Sequence, residues 1–209
     1  PDLPIAHGYC RPYNYIELPD EEGLFELRDV PHGTLTQEFY KSKISDNWEK
    51  LIVYLPPCVP SAGLPVLYLQ HGFGESEISW STTGKVNFLM DNLIAAGKIK
   101  PFAIVMGNGM VKQRIDGELK LNRALYGQML VEEIIPMIEK KYQFGGSKEK
   151  RGMAGLSMGS VQTTRTICAH PELFSEVGIF SGFLRDRIVG DEEHDGILPK
   201  SGGQSYLKA

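Results

Sequence analysis

Three cysteines in 209 residues are too few for a disulfide framework. Cys10 and Cys58 are the pair available for a single bridge in an oxidising compartment, whereas Cys168 reads as a small core residue. No apolar stretch approaches the roughly 18 residues that cross a bilayer, so no membrane partner is expected. No basic run is present either: 22 Lys and Arg against 26 Asp and Glu give a net charge of −4, which excludes a surface that tracks a phosphate backbone and so excludes nucleic acid. Histidine is scarce, and the five present show no His-Glu-x-x-His spacing, so neither a metal nor any other cofactor is expected. The start, Pro1-Asp2-Leu3-Pro4, has no basic or apolar leader character and no Met, which leaves room for a removed signal peptide or an upstream domain.

What the chain does contain is 42% hydrophobic residues, enough to bury a core as one globular domain. Residues 1–35 are rich in Pro, Gly, Tyr and acidic side chains without sustained periodicity and read as an extended lead-in. Residues 36–209 read as the catalytic domain. Thr36 to Ser42 and Lys50 to Leu55 are β-rich runs around a polar Ser45-Asp46-Asn47, predicting an antiparallel hairpin at a sheet edge. Val66 to Gln70 and Phe102 to Met106 are continuous apolar runs typical of strands buried on both faces. Between them, Val86 to Ala96 has helical spacing and a terminal Gly97, completing a β-α-β unit. Leu130, Ile134, Met137 and Ile138 fall on one face of a further helix that Pro136 is expected to kink and Gly145-Gly146 to end. Glu176 to Phe180 supplies one more short strand. Alternating strands and helices predict a mostly parallel sheet with helices on both faces, with its chemistry at the carboxyl ends of the strands.

One pentapeptide carries that chemistry. Gly155-Leu156-Ser157-Met158-Gly159 follows an apolar run and precedes a helix-compatible segment, the pattern of a turn that lifts a serine hydroxyl clear of the sheet. Such a match arises by chance in roughly one chain in ten of this length, so it needs a second active-site loop. His71-Gly72-Phe73-Gly74 supplies one, at the end of an earlier buried strand. Ser157 is then the candidate nucleophile, and the N–H groups of Phe73 and Met158 are the candidate oxyanion hole.

These segments, with Trp80, Asp91-Asn92-Leu93-Ile94, Gly97-Lys98, Ile134-Ile135-Pro136, Tyr142 and Ile179-Phe180-Ser181-Gly182, resemble the carbohydrate esterase family 1 feruloyl and acetylxylan esterases, within the esterase D-like α/β-hydrolases. The resemblance spans roughly Phe25 to Gly182 and departs where Glu75 and Ser160 replace Gly. It implies an α/β-hydrolase fold, a Ser157 nucleophile, Phe73 and Met158 in the oxyanion hole, and a feruloyl or acetyl ester on plant cell-wall polysaccharide or oligosaccharide as substrate. An extracellular location goes with that substrate. An acyltransferase or an esterase D-like thioesterase on the same scaffold stays open, as does a non-catalytic carbohydrate-binding relative in which Trp80, Tyr13 and Tyr15 stack on sugars.

The family order is serine, acid, histidine, and the residues after Phe180 contain no buried strand to carry the last two. His170 precedes Pro171 at a helix end, and His194 sits in the charged Asp191-Glu192-Glu193-His194-Asp195. The expectation is therefore of an incomplete catalytic domain, whose acid and histidine lie in a missing C-terminal segment and whose sheet leaves apolar surface uncovered. If the domain is instead complete, His194 with Asp186 or Asp191 is the place to look.

Overall fold

A computed structural model describes residues 3–182. The lead-in holds a small hairpin, β1 (Ile5–Gly8) and β2 (Arg11–Asn14). The main sheet begins with β3 (Thr34–Lys41) and β4 (Trp48–Leu55), followed by β5 (Val66–Gln70), the short α1 (Ser79–Thr82) and α2 (Val86–Ala95). Next come β6 (Ala103–Gly107), an exposed hairpin of β7 (Lys112–Ile115) and β8 (Glu118–Leu121), and α3 (Leu125–Met129). A π-helical turn at Leu130–Ile134 joins α3 to α4 (Ile135–Tyr142). Then β9 (Arg151–Leu156), α5 (Met158–Ala169) and β10 (Glu176–Phe180) complete the described chain.

The six-stranded sheet runs β10-β9-β5-β6-β4-β3. The four strands from β10 to β6 are mutually parallel, and β4 and β3 add an antiparallel edge, as expected from the sequence. Both faces of the central strands β4, β5, β6 and β9 are covered, and side chains alternate between them with the two-residue period of a strand; at the β10 edge Val177, Ile179 and Phe180 stay exposed. Leu51, Val53, Val66, Tyr68, Ala103 and Val105 pack under the helices α3 to α4 with Met129, Leu130, Ile134 and Ile138. Ile52, Tyr54, Leu69, Ile104 and Met106 face the other way, onto Val86 and Met90 of α2.

Two local readings need correction, and the open question of a Cys10–Cys58 bridge is answered. Pro136 does not simply kink a continuous helix: it occupies the first turn of α4, directly after the wide turn Leu130–Ile134. There its missing N–H and its ring cost no regular hydrogen bond. The helix also stops before Gly145-Gly146, because Gln143 takes the left-handed conformation (φ 59°) just after Tyr142, and the side chain of Glu139 reaches back to the Gly146 N–H at 2.8 Å. Finally, Cys10 and Cys58 are both free and exposed. Cys10 lies against Gly74, beyond the carboxyl end of β5, whereas Cys58 follows β4, whose last residues pair with the start of β6. The length of a five-residue strand, roughly 16 Å, separates those levels, and a disulfide needs Cα atoms within about 7 Å. Cys168, the third, is half-buried in α5.

The lead-in is tied to α2 rather than wrapped loosely. Asp91, itself buried, accepts from Tyr54 Oη at 2.6 Å and from the Gly33 N–H at 3.0 Å, and lies 2.9 Å from His32 Nδ1. Asn92 Nδ2 donates to the carbonyls of Leu24 and Glu26. Glu139 is a second tie, holding the foot of β9: Arg151 grips both its oxygens at 2.6 and 2.7 Å, and Tyr68 Oη donates to it at 3.0 Å. The ion pair is mostly shielded from water, and Glu139 holds the Arg151 guanidinium in its charged form, raising its pKa.

Candidate active site

Strands β5 and β9 are neighbours with Gln70 opposite Gly155, so the loops that leave them emerge side by side. After β9 there is one residue, Ser157, before α5 begins. Its backbone sits at φ 52°, ψ −111°, a conformation L side chains rarely adopt and one that marks functional turns. The two flanking glycines are required by space. A Cβ on Gly155 would stand 2.2 Å from the Gly159 carbonyl oxygen, and one on Gly159 would stand 2.7 Å from the carbonyl oxygens of both Gln70 and His71. The elbow is thus packed backbone to backbone against the end of β5. The Ser157 N–H is spent on the Phe180 carbonyl at 2.9 Å, and the Ser157 carbonyl accepts from Ser160 Oγ and from the Ser160 and Val161 N–H groups. Ser160, one departure from the family pattern, therefore closes the first turn of α5.

Met158 opens α5, and the first N–H groups of a helix have no partner inside it and carry the positive end of its dipole. In the loop after β5 the amides are divided up. The Gly72 N–H donates to Glu75 Oε2 (2.9 Å), the Gly74 N–H to Met110 Sδ (3.5 Å) and the Glu75 N–H to the Gly72 carbonyl (3.3 Å). Among the described residues the Phe73 N–H has no such partner. Glu75, the second departure, therefore takes up an amide that would otherwise compete with Phe73.

His71 is buried at the base of this loop. Its Nδ1 lies 2.8 Å from the Gly72 carbonyl and so donates to it, while its Nε2 accepts the Gly109 N–H at 2.9 Å. Those two bonds fix the neutral tautomer, and burial lowers the imidazole pKa in the same sense. His71 ties the loop after β5 to the loop after β6. Gln162 of α5 completes that tie by donating to the Gly109 carbonyl at 2.9 Å. Trp80 donates from Nε1 to the Gln70 carbonyl at 3.0 Å and stands edge-on to Phe180, its ring 6.3 Å away, which makes it a wall of the site.

Among the described residues no histidine is hydrogen-bonded to Ser157 Oγ. His170 stands at the far end of α5, roughly 20 Å along the helix at 1.5 Å per residue. His32 pairs with Asp91 beside Tyr54, which is opposite Ile104 at the amino end of β6, the wrong end of the sheet. His194, Asp186 and Asp191 lie outside the described residues. Among the described residues no cluster of His, Cys, Asp and Glu has the makings of a metal site, and no helix is long and apolar enough to cross a membrane.

The residues that brace these loops leave no mark in the sequence pattern. Arg123 lies over the Phe73 ring, 5.1 Å from its centre, and the turn Tyr9-Cys10 donates backbone N–H groups to the carbonyls of Phe73 and Gly74. No periodicity announces either contact.

Comparison with known proteins finds esterases. An endo-1,4-beta-xylanase/feruloyl esterase of Xylanibacter ruminicola is 38% identical over 191 residues, 86% of this chain but only 26% of that protein, so the chain spans about a quarter of its relative. A solved ferulic acid esterase shares 29% identity at a TM-score of 0.63, over 73% of this chain and 60% of the other. The CE1 ferulic acid esterase of Anaeromyces mucronatus, in complex with ferulic acid, superposes with a TM-score of 0.71 over 88% of this chain and 75% of its own, at 20% identity. That last likeness shows the α/β-hydrolase fold. The model of the Esterase family, described as "Putative esterase", matches residues 42–196, most of the chain, and the protein belongs to that family.

Proposed function

We propose that the protein is a serine carboxylesterase that hydrolyses feruloyl or acetyl esters on xylan-type polysaccharide, through an acyl-enzyme on Ser157. The observation that carries this is the elbow, a serine at φ 52° pinned by two glycines beside a loop with one unpartnered N–H. In this reading Ser157 Oγ attacks the ester carbonyl, and the oxygen that becomes negative is received by the N–H groups of Phe73 and Met158, at the positive end of α5. Collapse expels the sugar hydroxyl, and water then releases the acid. A base must take the Ser157 proton, which is the role a histidine fills in such enzymes. Its substrate is a polymer outside cells, which supports an extracellular site of action. The feruloyl esterase relatives support the choice of acyl group.

The test is hydrolysis of methyl ferulate and 4-nitrophenyl acetate by the full-length protein and its Ser157→Ala variant. The expected loss is on the order of 10³-fold or more in kcat; turnover near wild type in the variant refutes the reading.

A further inference from the structure

We infer that the turn of the N-terminal hairpin has a positioning role, with the backbone N–H groups of Tyr9 and Cys10 holding the oxyanion loop in place. This rests on the serine-esterase reading above. Strands β1 and β2 pair with Gly8 opposite Arg11, which leaves Tyr9 and Cys10 as a two-residue turn. Both are left-handed, at φ 51° and 61°, the pattern of a turn that ordinarily selects Asn-Gly or Asp-Gly. A tyrosine and a cysteine at such positions are not explained by hairpin formation alone.

The turn is pressed onto the loop that carries Phe73. The Tyr9 N–H donates to the Phe73 carbonyl at 3.1 Å and the Cys10 N–H to the Gly74 carbonyl at 3.3 Å. The approach is as close as backbone allows: a Cβ on Gly74 (φ 76°) would stand 2.2 Å from the Cys10 nitrogen and 2.4 Å from Tyr9 Cα. The Tyr9 ring also meets the Phe73 ring, with centres 6.5 Å apart. With Gly72 and Gly74 on either side, Phe73 belongs to a segment of high intrinsic backbone freedom. Its inner amides are held by Glu75 and Met110, and its outward carbonyls are held by the hairpin. The Phe73 N–H is the group left over, and its direction is set by the bonds around it. The hairpin does little else for the fold: β1 buries only Ala6 and Gly8, and every residue of β2 is exposed. A positioning role and a merely structural role therefore differ in what they predict.

Two variants of the full-length enzyme separate them. Tyr9→Pro/Cys10→Pro removes both donors and forbids positive φ. Tyr9→Asn/Cys10→Gly keeps both donors in the favoured turn. The proline variant is expected to lose about 10- to 100-fold in kcat on methyl ferulate, somewhat less than removal of a whole oxyanion donor, with KM within about threefold. Deuterium uptake in peptides covering residues 71–76 should quicken by about tenfold or more. The Asn-Gly variant should keep kcat and uptake within about twofold of wild type. Wild-type kcat in the proline variant, unchanged uptake at 71–76, or an equal loss in the Asn-Gly variant would each overturn the inference while Ser157→Ala remains inert. If Ser157→Ala turns over like wild type, the esterase reading fails first, and the positioning role falls with it.

Discussion

Adding one methyl group at Gly159 should separate the two halves of the oxyanion hole without touching either donor. In Gly159→Ala the new Cβ would start 2.7 Å from the carbonyl oxygens of Gln70 and His71 and 2.8 Å from Gln70 Cβ. Relief is not available from a side-chain rotation, since two of the three atoms are backbone and belong to the end of β5. Ordinary contact requires roughly 0.7 Å more separation, and the least constrained motion is retreat of the first turn of α5. That retreat carries Met158 and Ser157 away from Phe73. Displacements approaching 1 Å in a catalytic constellation cost about 10²-fold, so kcat on methyl ferulate should fall by about that factor. The overpacking itself should cost about 1–3 kcal/mol, which leaves a folded protein to assay. Steady-state kinetics alongside a urea melt provide the check. A folded Gly159→Ala enzyme with kcat within about threefold of wild type would refute the claim that elbow and loop are held backbone to backbone.

The other predictions concern stability. Glu139→Ala strands the Arg151 guanidinium and Tyr68 Oη at a shielded site, so it should cost about 3 kcal/mol in urea unfolding; a loss below about 1 kcal/mol would show that the pair is solvated after all. His71 gives a pH signature. Burial holds its imidazole below the ordinary value of 6.5, so below that pH the unfolded chain binds a proton that the folded one refuses. Stability from this group is full above 6.5 and falls as pH drops toward the folded value. Urea midpoints followed from about pH 8 to pH 5 should slope less in His71→Gln than in wild type; parallel profiles would sink the argument.

The parts of the fold legible in the sequence are those in which the physics is local. Val66 to Gln70 and Phe102 to Met106 are apolar without interruption because sheet neighbours and helices cover both faces. The elbow is legible because Gly155 and Gly159 answer a steric demand that only glycine meets. The exposed hairpin β7-β8 carried a signal in Asp116-Gly117, both at positive φ, but its strands are only four residues each and alternation shows in β8 alone, too short a frame for the turn. The π-helical turn before Pro136 and the helix stop at Gln143 depend on which of several carbonyls a donor finds, a choice settled by tertiary packing. The bracing by Tyr9, Cys10 and Arg123 joins residues far apart in sequence through main-chain groups, and main chain carries no side-chain code. The candidate acid and base stay where the sequence left them: His194, Asp186 and Asp191 lie outside the described residues.

The bond between Tyr9 and Phe73 also orders events in time. Tyr9 leaves the ribosome several seconds before Phe73 at synthesis rates of roughly 5–20 residues per second, and the loop it grips has no seat until β9 is made and lies beside β5. Residues translated well before the sheet are among the last to reach their place. The N-terminal hairpin waits, with its turn unmatched, until the sheet behind the loop has closed.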